Sequence, residues 1–274
     1  MTLSRRNFLT AATAGAAALA AHADPLGQPI GTQTWPIRDL LAKDFEGTLK
    51  QVAAMGYRTI ELCSPQSYGE FKALAAIPPE KVRATIEAAG LRCESCHYGY
   101  RELKENLDDR IAYAKGLGLK QMVLSTFGLP ATATQAEWRV AALLLNGIGE
   151  RTQKAGIQLG FHNHNGEFAK LDDKLIYDVL LETFDPKLVK LQFQVAVISL
   201  GVEAATYLKK YPGRYLSLHL ADYNATEKKA AAIGQGVVDW KALFAAAKSA
   251  GVANYFVEMN LEHMPASYTF LHKL

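Results

Sequence analysis

Six polar residues stand at or near the ends of short apolar runs in this sequence, and three of them are histidines. Imidazole nitrogens and carboxylate oxygens bind divalent cations, and both groups accept protons near neutral pH. One histidine in such a position is more often structural, whereas six residues that converge on one face predict a common polar site. The six residues are Glu61, His97, His162, Gln194, His219 and Glu258.

The stretch Cys93-Glu94-Ser95-Cys96-His97 matches the C-x-x-C-H signature of c-type haem attachment. Attachment needs both thiols and the imidazole on one local turn. We interpret the stretch as a β-strand, in which successive side chains alternate, so Cys93 and Cys96 face opposite ways and are poorly placed for haem or a disulfide. We therefore predict no haem, and electron transfer through Cys93, Cys96 and His97 stays a remote alternative.

Short apolar runs alternate with amphipathic helical patterns along the chain, and several of the helical patterns end in glycine. Eight such units in about 250 residues predict one (β/α)8 TIM barrel of the α/β class rather than an open sheet. The carboxyl ends of the strands in such a barrel meet on one face, which gathers the six polar residues there. The predicted strands are 30–35, 58–63, 91–97, 120–125, 157–163, 189–195, 214–220 and 254–259.

The N-terminus has the features of an export signal. Arg5 and Arg6 precede a short apolar run that is too short to span a bilayer, and Ala21-His22-Ala23 provides a small-x-small cleavage site. The pattern resembles a twin-arginine signal, which carries folded proteins across the bacterial inner membrane. We predict a signal at 1–23, a barrel at 24–274 and a periplasmic location; a buried N-terminal helix is the alternative.

Removal of Arg5 and Arg6 with the signal lowers the formal net charge from +3 to +1. A nearly neutral chain gives no electrostatic reason to expect nucleic acid or a membrane surface as a partner. Three cysteines cannot all pair, which is unlike a disulfide-stapled secreted domain. The sequence shows no basic cluster or glycine-rich phosphate loop near the strand ends, so a sugar phosphate is not predicted. An oligomer stays open.

Four segments together resemble the xylose-isomerase-like TIM-barrel superfamily, which holds sugar phosphate isomerases and epimerases, keto-sugar 3-epimerases and inosose dehydratases. The resemblance covers essentially the whole chain after residue 23 and is strongest from residue 157 onward. It implies a small carbohydrate as substrate. The segments are GFHNHNGEF (160–168), YLSLHLADY (215–223), IGQGVVDWKALFAAAKSAGV (233–252) and YFVEMN (255–260).

The resemblance also implies a metal site. Members of the superfamily commonly hold one divalent cation with Glu, Asp, His and Glu from the ends of the last four strands. Here His219 and Glu258 match, whereas His162 replaces the first Glu and Gln194 replaces the Asp. The ligand charge falls from about −3 to about −1, which favours Mn²⁺, Co²⁺, Fe²⁺ or Zn²⁺ over Mg²⁺.

The same replacement bears on the reaction. Keto-sugar epimerases of this type resemble two-base enzymes that use both metal-bound carboxylates, and His162 takes the place of one of them. One-base chemistry is then favoured, in which Glu258, His97 or His164 accepts a proton next to a carbonyl. We expect an isomerase or epimerase, or a lyase or hydratase, that acts on a sugar or keto sugar. The alternative is a non-catalytic carbohydrate-binding barrel with a degenerate metal site.

Five further residues are candidates for substrate binding, and each has a structural alternative. A strand-end glutamate can pair with a loop arginine such as Arg101, polar residues of the segment after the fifth strand can cap the next helix, and aromatic residues at loop bases often only pack. Asp222 is a candidate to orient the imidazole of His219. The five candidates are Glu61, Trp35, Tyr98, Asn163 and Glu167.

Overall fold

The computed structural model describes residues 24–274. The predicted export signal at 1–23 lies outside the described residues, so the twin-arginine interpretation and the periplasmic location stay predictions. Among residues 24–274, no helix combines the length and the apolar character that crossing a membrane would require.

Eight parallel strands close into a barrel, in which the first strand pairs with both the second and the last. Every strand begins and ends within two residues of its predicted range, so the prediction of a single TIM barrel is confirmed. The barrel strands are β1 (Gly31–Gln33), β2 (Thr59–Cys63), β3 (Arg92–Gly99), β4 (Gln121–Thr126), β5 (Gln158–His162), β6 (Val189–Gln194), β7 (Tyr215–Leu220) and β8 (Asn254–Val257).

Helices connect successive strands along the described chain. The longest one, α6, begins at a capping box formed by Thr134 and Glu137. Gly118 and Gly251 follow α5 and α9 with φ values of 77° and 74°, a left-handed backbone that favours glycine. The helices are α1 (Arg38–Lys43), α2 (Phe45–Ala54), α3 (Pro79–Ala88), α4 (Tyr100–Glu105), α5 (Leu107–Leu117), α6 (Gln135–Lys154), α7 (Ile176–Thr183), α8 (Ala204–Lys210), α9 (Trp240–Ala250) and α10 (Met264–His272).

Two short β-hairpins lie in the loops after β5 and β7. In the first, Lys170–Leu171 pairs with Lys174–Leu175. In the second, Asp222–Asn224 pairs with Lys229–Ala231, and we refer to this element as the 222–231 hairpin. Both follow the carboxyl ends of barrel strands, so both lie on the face where the predicted site is located.

A β-bulge in β3 changes how its side chains face the barrel. Ile60 pairs with Cys93 and Glu61 pairs with Ser95, so Glu94 is an extra residue on this strand. Cys93 and Cys96 pair with Ile60 and Leu62, which share one face of β2, so the prediction that the two cysteines face opposite ways is wrong. Ser95 shares the interior face with His97, and its Oγ donates a hydrogen bond to Glu61 Oε1 at 2.5 Å.

The three residues of the C-x-x-C-H match are all buried in β3. The Sγ atom of Cys93 contacts the carbonyl oxygen of Ser95, and the Sγ atom of Cys96 contacts that of His97. The imidazole of His97 points into the barrel, as described below. This placement favours the strand interpretation of the motif over haem attachment.

Candidate active site

Glu61 lies at the end of β2, inside the barrel, with no exposed surface. Its Oε2 accepts hydrogen bonds from Gln33 Nε2 at 2.8 Å and from His219 Nε2 at 2.5 Å. Its Oε1 accepts from Gln192 Nε2 at 2.9 Å, besides the Ser95 hydroxyl. One carboxylate therefore joins residues from five barrel strands.

Neither role that the sequence suggests for Glu61 is found. Its carboxylate has no surface to offer to a substrate, and Arg101 pairs with the exposed Glu105 on α4 instead. Burial alone would raise the pKa of Glu61, but the adjacent His97 and His219 lower it to about 2. Glu61 is therefore an ionised group that positions imidazoles beneath the site.

His219, at the end of β7, lies between two carboxylates. Its Nε2 donates to Glu61, and its Nδ1 is buried 3.3 Å from Glu258 Oε2 without the alignment needed for a hydrogen bond. Burial lowers the pKa of His219, but Glu61 and Glu258 together raise it to about 9. The two carboxylates thus favour positive charge at this point, either a proton on the imidazole or a metal ion bound to it.

Gln192 determines which ring nitrogens of two further histidines carry hydrogen. Its Nε2 faces Glu61 and must donate, because an ionised carboxylate only accepts. Its Oε1 therefore accepts from His97 Nε2 at 2.7 Å and from His162 Nδ1 at 3.0 Å. We assign these two nitrogens as N–H donors, which leaves one lone-pair nitrogen on each ring.

The imidazoles of His97, His162 and His219 form a compact cluster. The ring centroids of His162 and His219 are 4.5 Å apart, and the rings of His97 and His219 are stacked at 5.0 Å. Burial lowers the pKa of His97 and holds that of His162 well below its usual range, so both rings are neutral. Each ring offers one nitrogen within 4.8 Å of the other two, and neutral imidazole is a common metal ligand.

Glu258, after β8, lies beside this cluster, in contact with His219. Two donor atoms on one tetrahedral Zn²⁺ are about 3.4 Å apart, and the 3.3 Å between His219 Nδ1 and Glu258 Oε2 matches that spacing. His219 Nδ1 also has no hydrogen-bond partner, and together with this spacing that is compatible with a divalent cation between the two residues.

Three of the four predicted ligands, His162, His219 and Glu258, come together, and the structure adds His97. Gln194 differs: its Nε2 donates to Glu258, and its Oε1 accepts from Ala196 N at 3.1 Å. Its amide oxygen is therefore engaged by the backbone and not directed at a cation.

A cavity of about 200 Å³ opens from the cluster to the carboxyl face of the barrel. Trp35 forms one wall; its backbone N–H donates to Gln33 Oε1 at 3.0 Å, and its ring packs edge-on against Tyr68 at 5.5 Å. This is the placement predicted for a stacking surface. The residues that line the cavity include Trp35, Tyr68, His97, His162, His164 and Glu258.

The other predicted site residues divide into two groups. His164 is exposed at the cavity, with its ring 4.8 Å from that of His162. Asn163 and Glu167 are buried and hold backbone: Asn163 Oδ1 accepts from Gln194 N, and Glu167 Oε2 accepts from His164 N. Tyr98 is fully buried, because it points away from the side of β3 that carries His97. The substrate-binding role predicted for Asn163, Glu167 and Tyr98 is therefore not supported.

Asp222 does not orient His219, contrary to the sequence prediction. Its carboxylate instead organises the loop from the 222–231 hairpin to the start of α9, which explains the second glycine of the GQG motif (234–236). A Cβ atom on Gly236 would lie 2.1 Å from Asp222 Oδ1. The carboxylate accepts five hydrogen bonds, from Tyr223 N, Gly234 N, Gly236 N, Val238 N and Trp240 Nε1.

Three polar residues beneath the histidines, Ser95, Gln192 and Ser217, were not predicted from the sequence. Ser95 precedes His97 by two positions, and Ser217 stands in the same relation to His219. Side chains two apart on a strand share a face, so an inward-facing histidine identifies the next layer of the barrel interior. That spacing was the available signal for Gln192 as well, which stands two residues before Gln194.

A closed parallel barrel with a histidine-rich cluster at its carboxyl ends defines a TIM barrel with an enzyme-like site. The chain belongs to the xylose isomerase-like TIM barrel family, whose model matches residues 49–268.

Named relatives of the chain include inosose dehydratases. The protein of that name from Geobacillus thermodenitrificans is 27% identical over 164 residues, which are 53% of this chain and 54% of the relative. The match thus spans about half the length of that curated relative.

Solved structures resemble the barrel over most of its length. A sugar phosphate isomerase/epimerase from Parabacteroides distasonis aligns with a TM-score of 0.76 and 24% identity, over 90% of this chain and 96% of that one. The IolI protein, solved with a zinc atom, aligns with a TM-score of 0.65 and 14% identity, over 90% and 94%. At these identities the likeness shows the fold.

Proposed function

We propose that this protein is a divalent-metal-dependent carbohydrate enzyme that moves a proton next to a carbonyl group, as an isomerase or epimerase or as a lyase or hydratase. The observation that carries the proposal is the buried His219 Nδ1, which has no hydrogen-bond partner and lies 3.3 Å from Glu258 Oε2. Glu258 in turn lines an open cavity together with His97 and His162. The inosose dehydratase and isomerase/epimerase names of the relatives support the same reaction classes.

His219, Glu258 and His162 are the residues that would hold the cation, with His97 in reach. A bound divalent ion would polarise a carbonyl and a neighbouring hydroxyl group and so acidify the adjacent C–H bond. The nitrogen-rich donor set favours Zn²⁺, Co²⁺, Fe²⁺ or Mn²⁺ over Mg²⁺, and the zinc in the IolI structure agrees with this preference.

The remaining residues bind the sugar and move the proton. Trp35 offers the face of its ring to a sugar, because apolar C–H faces of carbohydrates pack on aromatic rings. His164 stands at the cavity, and partial burial lowers its pKa, so it is neutral and able to accept a proton at neutral pH. Glu258 is the other base within the cavity.

A non-catalytic carbohydrate-binding barrel is the second candidate, and one contact favours it. The hydrogen bond from Gln194 to Glu258, with a protonated His219 beside it, satisfies the carboxylate without any metal. Metal content therefore decides between the two candidates.

The test combines metal analysis with proton exchange. We expect the purified full chain to bind about one divalent ion, which chelation removes and Zn²⁺, Co²⁺ or Mn²⁺ restores. In D₂O, NMR should then detect metal-dependent exchange of the C–H next to the carbonyl in one of a panel of keto sugars and an inosose. Glu258→Gln should slow the exchange by about 10²-fold or more.

Glu262→Gln is the matched control, because Glu262 is exposed, follows the same strand and should leave both measurements unchanged. A chain that binds sugars but retains no metal, and shows no metal-dependent exchange, would establish the binding-only alternative.

A further inference from the structure

A second cavity, of about 440 Å³, adjoins the catalytic one and shares Trp35 and Glu258 with it. Its volume lies in the range of small-molecule sites. The 222–231 hairpin and the residues after β1 form its far side. Three cationic side chains line it, Arg38 from α1 and Lys228 and Lys229 from the hairpin.

We propose that this second cavity binds an anionic group of the substrate, a carboxylate or a phosphate, at the end of the sugar away from the metal. The proposal rests on the proposed function and extends it to the class of substrate. It differs from the expectation from the sequence, because Arg38 lies 190 residues from Lys228 and only the fold brings them to one cavity.

The carboxylates that line the same cavity are already satisfied. Asp222 accepts five hydrogen bonds from its own loop, and Glu258 accepts one from Gln194 Nε2 and lies 3.3 Å from His219 Nδ1. The negative charges of the cavity therefore have partners within the protein.

The three cationic side chains keep N–H donors available for a ligand. Within residues 24–274, Lys228 makes no hydrogen bond or ion pair. Lys229 pairs only with the exposed Glu227 at 3.0 Å. Arg38 stacks on Trp35 at 4.0 Å and donates through Nε to Glu70 and through Nη1 to the carbonyl of Trp35, which leaves Nη2 for a ligand. This stacking places a guanidinium directly beside the proposed sugar-binding ring.

The backbone at Lys228 supports a role for its side chain. Its φ is 52°, a left-handed conformation that glycine or asparagine adopts with less strain. The turn itself therefore does not require a lysine at this position.

The test uses one sugar frame with three groups at C6: D-glucose, D-glucuronate and D-glucose 6-phosphate. Binding to the zinc-loaded full chain is measured by calorimetry at low and physiological ionic strength. We expect one or both anionic sugars to bind about tenfold more tightly than glucose, with the preference reduced by salt. A preference for glucuronate identifies a sugar acid, and a preference for the 6-phosphate identifies a sugar phosphate.

The variants assign the preference to the cavity. Lys228→Gln should reduce it about threefold, and Lys228→Gln combined with Lys229→Gln should remove most of it. Lys228→Arg should retain it. Lys115→Gln is the matched control, because Lys115 is exposed in the last turn of α5, at the opposite end of the barrel.

Equal affinity for all three sugars, or an anion preference that survives the double lysine variant, would overturn the proposal. Zinc titration of the same variants separates this result from a failure of the proposed function. Intact zinc binding without an anion preference removes only the anion site, whereas an anion preference without zinc binding removes only the metal-dependent reaction.

Discussion

Glu61 and Asp222 are both buried carboxylates, but they accept their hydrogen bonds from different kinds of donor. Glu61 accepts its hydrogen bonds from side chains on other strands, Gln33, Ser95, Gln192 and His219. Asp222 accepts four of its five from backbone N–H groups within 16 residues of itself, and the fifth from the indole of Trp240.

Glu61 therefore positions side chains of the candidate site, whereas Asp222 holds a loop in its conformation. Side-chain donors around Glu61 include the imidazole of His219, whose other nitrogen lies 3.3 Å from Glu258 Oε2, so the charge of Glu61 acts on the candidate site. The donors around Asp222 are four backbone N–H groups and the indole of Trp240, so the charge of Asp222 stabilises the shape of the loop. Changes at Asp222 should therefore affect stability, and changes at Glu61 should affect metal affinity.

The largest effect is expected for Asp222→Ala. Five donors would lose their acceptor, and we expect the free energy of unfolding to fall by about 3–5 kcal/mol. In a barrel of this size the loss corresponds to a decrease in Tm of roughly 10 °C. Calorimetry measures it, and zinc affinity of the folded variant should stay near that of the parent.

Asp222→Asn retains one carbonyl oxygen, so its Tm should lie between the Tm of the parent and that of Asp222→Ala. Asp39→Ala removes an exposed carboxylate from α1 and should leave the Tm unchanged. If Asp222→Ala melts within a degree or two of the parent, the carboxylate does not organise the loop.

An intermediate effect is expected for Glu61→Gln, this time on metal binding. The isosteric amide removes the charge that holds His219 Nε2–H, so the orientation and basicity of the imidazole are both weakened. Groups that orient a ligand in this way typically change metal affinity by about 10–100-fold. Competition with a zinc indicator dye gives the dissociation constant.

Ser95→Ala offers a milder version, because it deletes one donor to Glu61 and leaves the carboxylate charged. We expect it to lower zinc affinity much less than Glu61→Gln. Equal zinc affinity in the parent and in Glu61→Gln would remove the distinction between the two carboxylates.

The smallest effect concerns pH in the chelated, metal-free chain. The pKa of His219 is raised to about 9 in the folded protein, above its ordinary value of 6.5. A raised pKa stabilises the fold fully below pH 6.5, and this contribution is lost as the pH rises through 9. We expect the Tm to fall by a few degrees across that range.

His219→Gln should flatten this part of the pH profile, whereas Asp222→Asn should shift the whole profile downward without changing its slope. Thermal melts at half-unit pH intervals would show both. A parent profile whose slope between pH 6.5 and pH 9 matches that of His219→Gln would contradict the charge assigned to His219.

The barrel itself was predictable from the sequence because each strand is a short buried run bounded by turn residues. The 222–231 hairpin was not, since its stretch Asp222 to Ala231 is polar, shows no alternation and depends on the hydrogen bonds of Asp222. Burial of a strand leaves a regular pattern in the sequence, whereas a loop that hydrogen bonds hold together leaves none.

Only the strand-end residues of the candidate site were predictable from the sequence. His97, His162, His219 and Glu258 were found because the ends of parallel strands must meet. The role of Glu61 was missed because a buried charge depends on partners far along the chain. Tyr98 could have been excluded beforehand, since an inward His97 requires its neighbour on the strand to face outward.

The long sequence separation between Glu61 and its hydrogen-bond partners has a consequence for folding. Its hydrogen bonds to Gln192 and His219 span 131 and 158 residues, so they can form only when the late strands have closed on the early ones. Before closure, any compact early half would have to keep this carboxylate in contact with water or protonated. The imidazole cluster therefore comes into existence with the last steps of folding, and its assembly is a direct reporter of a completed barrel.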